Sequence, residues 1–135
     1  MFSLNPLVES VDNWLTVWLG NLDEDNLEAY MDEPGGVDDD APISEFSKDI
    51  GRWYDHDFIW MEASNQELPV IELCKLNGID SDELINAIAA RSKTEKVKSL
   101  IILWNSRIIS EDTRLFAKGE MYCLGSWEHT SPLTD

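Results

Sequence analysis

The chain has little positive charge, and its first third has none. Its 135 residues carry 10 Lys and Arg against 27 Asp and Glu, a formal net charge of -17. No Lys or Arg precedes Lys48, whereas twelve of the acidic residues do. A field of this sign repels nucleic acid and anionic membrane and attracts basic proteins. The composition therefore predicts a basic protein partner and argues against nucleic acid and membrane as partners.

Cysteines and long apolar runs are also scarce. Cys74 and Cys123 lie far apart in apolar surroundings, a pattern typical of reduced core thiols. Residues 1–20 contain neither the basic region nor the apolar run of a signal peptide. No segment approaches the roughly 20 apolar residues of a membrane span. These shortages predict a cytoplasmic protein.

The chain does contain enough apolar material for a core. Hydrophobic residues make up 43% of it and six are Trp, whereas disordered acidic chains are poor in aromatic residues. The length fits one domain. We predict a single domain over residues 1–135, with 1–12 as an N-terminal arm or short helix and 128–135 as a tail.

Strand-like and helix-like segments alternate along the chain. Alternating or continuous apolar residues bounded by turn residues predict strands at 14–19, 53–62, 100–104 and 120–127. Capping residues followed by apolar residues at helical spacing predict helices near 23–33, 44–50, 68–76 and 80–89. Asp23 and Ser44 are the predicted N-caps of the first two, and Gly51 is predicted to end the second. The pattern predicts the α+β class, as a single two-layer α/β sandwich of about four strands with helices packed on the sheet.

Carboxylates are concentrated at the start of the first predicted helix and in the loop 34–42. A short charge run commonly marks only a solvated surface. Here no basic residue compensates it, and packing does not require such repulsion. We therefore predict that acidic residues bind the partner. The predicted residues are Asp23, Glu24, Asp25, Glu28, Asp32, Asp38, Asp39, Asp40, Asp55 and Asp57.

Two of these segments also raise the question of metal or catalytic chemistry. Three consecutive aspartates at 38–40 do not have the alternating spacing and distal Glu of a calcium loop. On a strand, His56 would point away from Asp55 and Asp57, which is poor geometry for a metal site. No phosphate loop, nucleophile motif or paired-cysteine motif is present. We expect no enzymatic activity, catalytic residue, cofactor or metal.

Several sequence landmarks resemble the bacterial immunity protein 22 family. The most specific is Phe46–Gly51 running into Trp53–Phe58, with the sequence Trp-Tyr-Asp-His-Asp-Phe. The others are Val17–Asn21 with the following Glu28–Tyr30, Leu100–Trp104 and Leu124–Ser126. The resemblance covers roughly residues 14–127, with the landmarks in the same order.

The resemblance implies an antidote of a polymorphic toxin or contact-dependent growth inhibition system. Such a protein acts in the cytoplasm by binding a toxin directly, without catalysis or cofactor. Many such toxins are nucleases, whose clefts are basic because they hold phosphates. Two alternatives stay open: a charge mimic that regulates another basic, nucleic-acid-binding protein, and a small hydrolase or metal-dependent enzyme using Asp55, His56 and Asp57.

Affinity also needs a desolvated anchor, and Trp18, Tyr30, Trp53 and Trp60 are the candidates.

Overall fold

One antiparallel sheet of four strands organises the protein. The computed structural model describes residues 4–32, 44–54 and 56–130. The strands are β1 (Val8–Gly20), β2 (Ile59–Pro69), β3 (Lys96–Ile108) and β4 (Met121–Glu128). Their order in the sheet is β2-β3-β1-β4. The two long strands, β1 and β3, therefore form the centre of the sheet, and β2 and β4 form its edges.

Helices pack against both faces of this sheet. The described helices are α1 (Glu24–Met31), α2 (Glu45–Ile50), α3 (Val70–Leu76) and α4 (Asp82–Arg91). Short 3₁₀ turns occur at His56–Phe58 and Ala117–Gly119. The predicted α+β sandwich, with about four strands and helices packed on the sheet, is confirmed. The structure adds that α1 and α2 cover one face, while α3 and α4 cover the other.

The central strand β3 explains why both faces are covered. Its residues are apolar on both sides: Leu100 and Ile102 face the α3–α4 cluster, whereas Ile101 and Leu103 face the α1–α2 cluster. Leu100, Ile101 and Ile102 are fully buried. Burial of each such side chain stabilises the fold by roughly 1.5–3 kcal/mol. A sheet with this central strand needs helices on both faces.

The helix ends follow local sequence signals. The side chains of Asp23, Ser44 and Ser81 each accept a hydrogen bond from a backbone N–H in the first turn of α1, α2 and α4. Gly51 ends α2 with a φ of 77°, and a Cβ there would lie 2.7 Å from the Asn5 carbonyl oxygen. The predicted caps at Asp23 and Ser44 and the predicted stop at Gly51 are confirmed.

The N-terminal prediction needs correction, because residues 8–12 belong to β1 rather than to an arm or short helix. Val8, Glu9 and Ser10 pair with β3 beyond a bulge in the β1–β3 register. Asn13 and Asn105 lie there with φ values of 65° and 58°. Asparagine tolerates this left-handed conformation better than most residues, so β1 continues past the bulge. At the other end, Glu128 still belongs to β4 rather than to a tail.

The predicted strand at 53–62 is only partly right. Trp53 and Tyr54 lie outside any strand, residues 56–58 form a 3₁₀ turn, and β2 runs from Ile59 to Pro69. The alternating aromatic residues at 54–60 predicted the strand. Tyr54 is aromatic for another reason, because it packs on Phe46 of α2. Helix α3 accordingly begins at Val70 rather than at residue 68.

Candidate protein-binding surface

Helix α1 presents an acidic face to solvent. Leu27, Tyr30 and Met31 are buried against the sheet. Asp25, Glu28 and Asp32 are exposed, and their spacing of three and four residues places them on one side of the helix. We call Asp25, Glu28 and Asp32 the α1 acidic face.

The α1 acidic face is unfavourable for the helix itself. Like charges three or four residues apart destabilise a helix by roughly 0.2–0.5 kcal/mol per pair. Asp32 is the C-cap, and α1 has no basic residue in its last turn. A carboxylate at this end opposes the helix dipole. Asp23, Glu24 and Asp25 differ from Asp32, because they lie at the positive end of the dipole, and Asp23 also caps the helix.

Helix α2 extends the acidic surface beside α1. Glu45 is exposed and pairs with Lys48 at 2.9 Å between Oε2 and Nζ. An exposed pair of this kind adds little stability. Asp49 is half-buried, and its Oδ2 accepts hydrogen bonds from the Tyr30 hydroxyl at 2.6 Å and the Ala117 N–H at 2.9 Å. Asp49 therefore joins α1 and α2 to the loop before β4.

Burial changes the pKa of Tyr30, which donates the hydrogen bond to Asp49. Desolvation, followed by the hydrogen bond and charge of Asp49, raises the pKa of Tyr30 far above its ordinary value. Tyr30 therefore stays protonated and donates to Asp49. A cleft of about 380 Å³ lies between α1, α2 and Ala117–Lys118, and Tyr30 and Asp49 are part of its lining. Its polar lining consists of Asn26, Tyr30, Glu45, Asp49 and Lys118, so the cleft contains two carboxylates and one cation.

The structure brings together some of the predicted partner-binding residues but not all of them. Asp23, Glu24, Asp25, Glu28 and Asp32 lie on α1 or at its ends, and all except half-buried Asp23 are exposed. Asp57 is exposed in the 3₁₀ turn before β2, away from α1. The predicted residues Asp38, Asp39, Asp40 and Asp55 lie outside the described residues.

Glu45 and Asp49 belong to the acidic surface although neither was predicted as a binding residue. Their sequence signal is the Ser44 cap, which starts a helix carrying acids at positions 45 and 49. Only the packing of α2 beside α1 brings them to the same surface.

The four aromatic anchor candidates separate by exposure. Trp18 is fully buried and Tyr30 is 7% exposed, so both belong to the core. Trp60 is partly buried and packs on Trp104 with ring centroids 5.2 Å apart. Trp53 is 51% exposed. Of the four, Trp53 has the most exposed side chain.

The described ranges contain no group of three His, Cys, Asp or Glu side chains placed to share a metal ion. None of the helices in these ranges combines the length and apolar composition needed to cross a membrane. Comparisons with protein-family models, curated proteins and solved structures gave no match. The family resemblance therefore stays a prediction, and the surface itself carries the functional argument.

Proposed function

We propose that this chain is an immunity protein that binds and neutralises a cognate bacterial toxin domain in the cytoplasm. It is a binding module rather than an enzyme. Its partner is a basic domain, most simply a nuclease, and recognition uses acidic charge complementarity. The sequence resemblance to the immunity protein 22 family and the charge of the chain support the same proposal independently.

The α1 acidic face is the observation that carries the proposal. Asp25, Glu28 and Asp32 are exposed on one side of a helix that has no basic residue. This arrangement destabilises the helix by mutual repulsion and, at Asp32, by opposing the dipole. Folding does not explain the carboxylates at Glu28 and Asp32, whereas a basic partner that neutralises them does.

Charge complementarity of this kind acts first on the rate of encounter. An acidic surface opposite a basic cleft raises association rates and makes them fall steeply with ionic strength. A nuclease cleft is basic because it binds phosphates, so an acidic surface can occupy it in place of the substrate. In the cleft between α1 and α2, the carboxylates of Glu45 and Asp49 outnumber the one lining cation, Lys118.

The test compares two variants that lose the same number of charges. The first carries Asp25→Asn, Glu28→Gln and Asp32→Asn. The control carries Glu72→Gln, Glu83→Gln and Glu95→Gln, three residues that are exposed on α3, α4 and the loop before β3. Binding kinetics are measured against the toxin domain encoded beside the gene, at several salt concentrations.

We expect the α1 variant to bind roughly 10-fold to 100-fold more weakly at low salt, mainly through slower association, with a shallower salt dependence. The control should stay within about threefold of the wild type, because long-range steering depends on where charges lie. Equal losses in both variants would mean that only total charge matters. Failure of the wild type to bind or neutralise the neighbouring toxin would overturn the proposal.

The charge-mimic alternative would use the same acidic surface, so selectivity separates it from the immunity function. An immunity protein must bind its toxin far more tightly than unrelated basic proteins. Histone and lysozyme serve as such competitors. Displacement of the toxin by either protein at comparable concentration would favour a general regulator of basic proteins.

A further inference from the structure

The two edge strands of the sheet differ in what lies beside them. At β4, Phe116 forms a bridge with Met121, and the segment 110–116 and β4 together line a cavity of about 450 Å³. A cation also lies against this strand, since Arg91 is 4.5 Å from the ring centre of Trp127. Neighbouring segments and cations are common protection of a sheet edge against pairing with another chain. The β4 edge is therefore protected by the chain itself.

The outer edge of β2 has no such protection from the part of the chain that the structure describes. β2 is the last strand in the order β2-β3-β1-β4, and residues 59–63 pair with β3 on one side. No described strand or bridge lies on the other side. No Lys or Arg occurs between Arg52 and Lys75, so the strand also lacks the lysines that commonly guard an edge. We call the side of Ile59–Ala63 that faces away from β3 the β2 edge.

The side chains along the β2 edge differ between the two faces of the sheet. Met61 pairs with Ile101 on the α1–α2 face, yet it is 42% exposed. Glu62 pairs with Leu100 on the opposite face and is half-buried. Among the described residues, no Lys or Arg lies within ion-pair distance of Glu62. The edge therefore has an open apolar side chain on one face and an uncompensated carboxylate on the other.

The β2 edge lies next to the start of α1. Beyond Ala63 the strand enters a bulge, because its pairing with β3 resumes only at Leu68. Within this bulge, the Asn65 Oδ1 accepts a hydrogen bond from the Glu24 N–H at 3.3 Å. Two residues of chain span at most roughly 7 Å, which is within the distance over which charges act at physiological salt. The exposed carboxylates of Glu24 and Asp25 therefore act on whatever binds the edge.

We infer that the β2 edge accepts an extended basic segment of the partner as a fifth strand of the sheet. The inference rests on the proposed function, because it describes how the backbone of the same basic partner is recognised. An added strand gains affinity from main-chain hydrogen bonds and specificity from alternate side chains. Apolar side chains of the segment contact Met61, and Lys or Arg side chains on its other face lie beside Glu62. The acidic field of the chain favours a cationic segment over an anionic one.

A synthetic peptide tests the β2 edge without the toxin. The probe is a peptide of alternating valine and lysine with blocked ends, about eight residues long, which is an ordinary strand length. Backbone amide signals of the protein and their hydrogen exchange are followed by NMR. We expect the largest shifts at residues 59–63, and exchange of the outward-pointing amides slowed at least about fivefold because they become hydrogen-bonded. A control peptide with the same valines and lysines in two separate blocks should bind the edge more weakly, because it cannot present one apolar face.

Two charge reversals on the two edge strands give a matched comparison. Glu62→Lys places a cation on the β2 edge, and Glu128→Lys makes the same change at the exposed end of β4. Both variants alter the net charge equally, so any loss of general attraction is the same. We expect Glu62→Lys to weaken peptide binding roughly fivefold and Glu128→Lys to stay within about twofold of the wild type. Met61→Ala changes an exposed position, keeps the test valid if Glu62→Lys fails to fold, and should weaken binding about twofold to threefold.

The outcomes separate this inference from the proposed function. Peptide-induced shifts confined to α1, or equal weakening by Glu62→Lys and Glu128→Lys, would overturn the strand site. Concentration-dependent shifts at residues 59–63 without peptide would make a second copy of this chain the occupant and overturn it too. In the complex with the toxin domain, unchanged exchange at residues 59–63 would overturn the inference and leave the immunity function intact. Protection of the edge by the peptide, in a protein that neutralises no toxin, would support the strand site and overturn the immunity function.

Discussion

Helices α1 and α4 cover opposite faces of one sheet but distribute their charges differently. In α4, Asp82 and Glu83 lie in the first turn and Arg91 in the last, so the charges agree with the helix dipole at both ends. Arg91 also covers the ring of Trp127. In α1, the first turn is acidic as well, but the last turn has no basic residue and Asp32 forms the C-cap.

The charges of α4 match the requirements of the fold, whereas the outer charges of α1 match the requirements of a basic partner. Both helices bury an apolar stripe on the sheet, so packing does not distinguish them. The charges of α4 contribute to the stability of the free protein. The carboxylates of Glu28 and Asp32 reduce that stability and gain a favourable role only when a cation approaches. An uncompensated cost on an exposed surface favours a functional interpretation, because neither packing nor capping of the helix requires it.

We expect the apolar clusters on the two faces of the sheet to unfold together as one cooperative core. Trp18 lies under α2, with its ring 4.9 Å from that of Phe46, and Leu73 of α3 lies in the opposite cluster; both are fully buried. We expect Trp18→Ala to reduce the free energy of unfolding by roughly 3–5 kcal/mol and Leu73→Ala by 2–5 kcal/mol. Urea denaturation measures both. A loss below about 1 kcal/mol for Trp18→Ala would mean that the α1–α2 layer is only attached to a self-sufficient sheet.

Each face also contains a free thiol, buried at Cys74 and half-buried at Cys123, and through both thiols alkaline pH should lower the free energy of unfolding. Burial raises the pKa of Cys74 and of Cys123 from 9.0 to about 12. Between these values the thiol is ionised in the unfolded chain but protonated in the folded protein. The free energy of unfolding is therefore unaffected by the thiol below pH 9 and falls above it, by up to about 1.4 kcal/mol per pH unit for each group.

Urea denaturation at pH 8 and pH 10.5 under reducing conditions measures this loss. Cys74→Ala and Cys123→Ala should each lose less stability between the two pH values than the wild type does. Other groups that titrate in this window are common to all three proteins and cancel in the difference. An unchanged loss in either variant would show that the corresponding thiol is not desolvated.

The smallest expected effects test the charge comparison directly. Asp32→Asn removes the carboxylate at the negative end of α1 and should raise the free energy of unfolding by roughly 0.3–1 kcal/mol. Arg91→Gln removes the favourable cation of α4 and should lower it by a similar or slightly larger amount, because the contact with Trp127 is lost too. Thermal unfolding at low ionic strength measures both. A stabilising Arg91→Gln would show that the last-turn cation of α4 does not stabilise the fold. A destabilising Asp32→Asn would show that the C-cap carboxylate of α1 carries no stability cost.

Local signals in the sequence were sufficient where a few neighbouring residues decide the structure. Asp23 and Ser44 were predicted as caps and Gly51 as a stop, and all three have these roles. They could be predicted because capping depends on hydrogen bonds within one helical turn. The apolar run at 100–104 likewise predicted a buried strand, and it forms the centre of β3.

Local sequence signals failed where contacts between distant residues determine the structure. The alternation of Tyr54, His56, Phe58 and Trp60 predicted a strand from residue 53, but Trp53, Tyr54 and Phe58 line a cleft beside β3. The bulge between β1 and β3 depends on Asn13 and Asn105, which are 92 positions apart and joined by a hydrogen bond from the Asn13 N–H to the Asn105 Oδ1. No local pattern contains this pairing.

The sequence by itself determined the acidity of the first third, the α+β class and the helix caps. These properties depend on composition, on apolar periodicity and on contacts within one turn. Only the tertiary structure decided that Asp25, Glu28 and Asp32 face solvent beside Glu45 and Asp49, and that Trp53 is exposed while Trp18 is buried. Which side of a helix or ring meets water depends on what packs against the other side. That packing comes from segments far away in the chain.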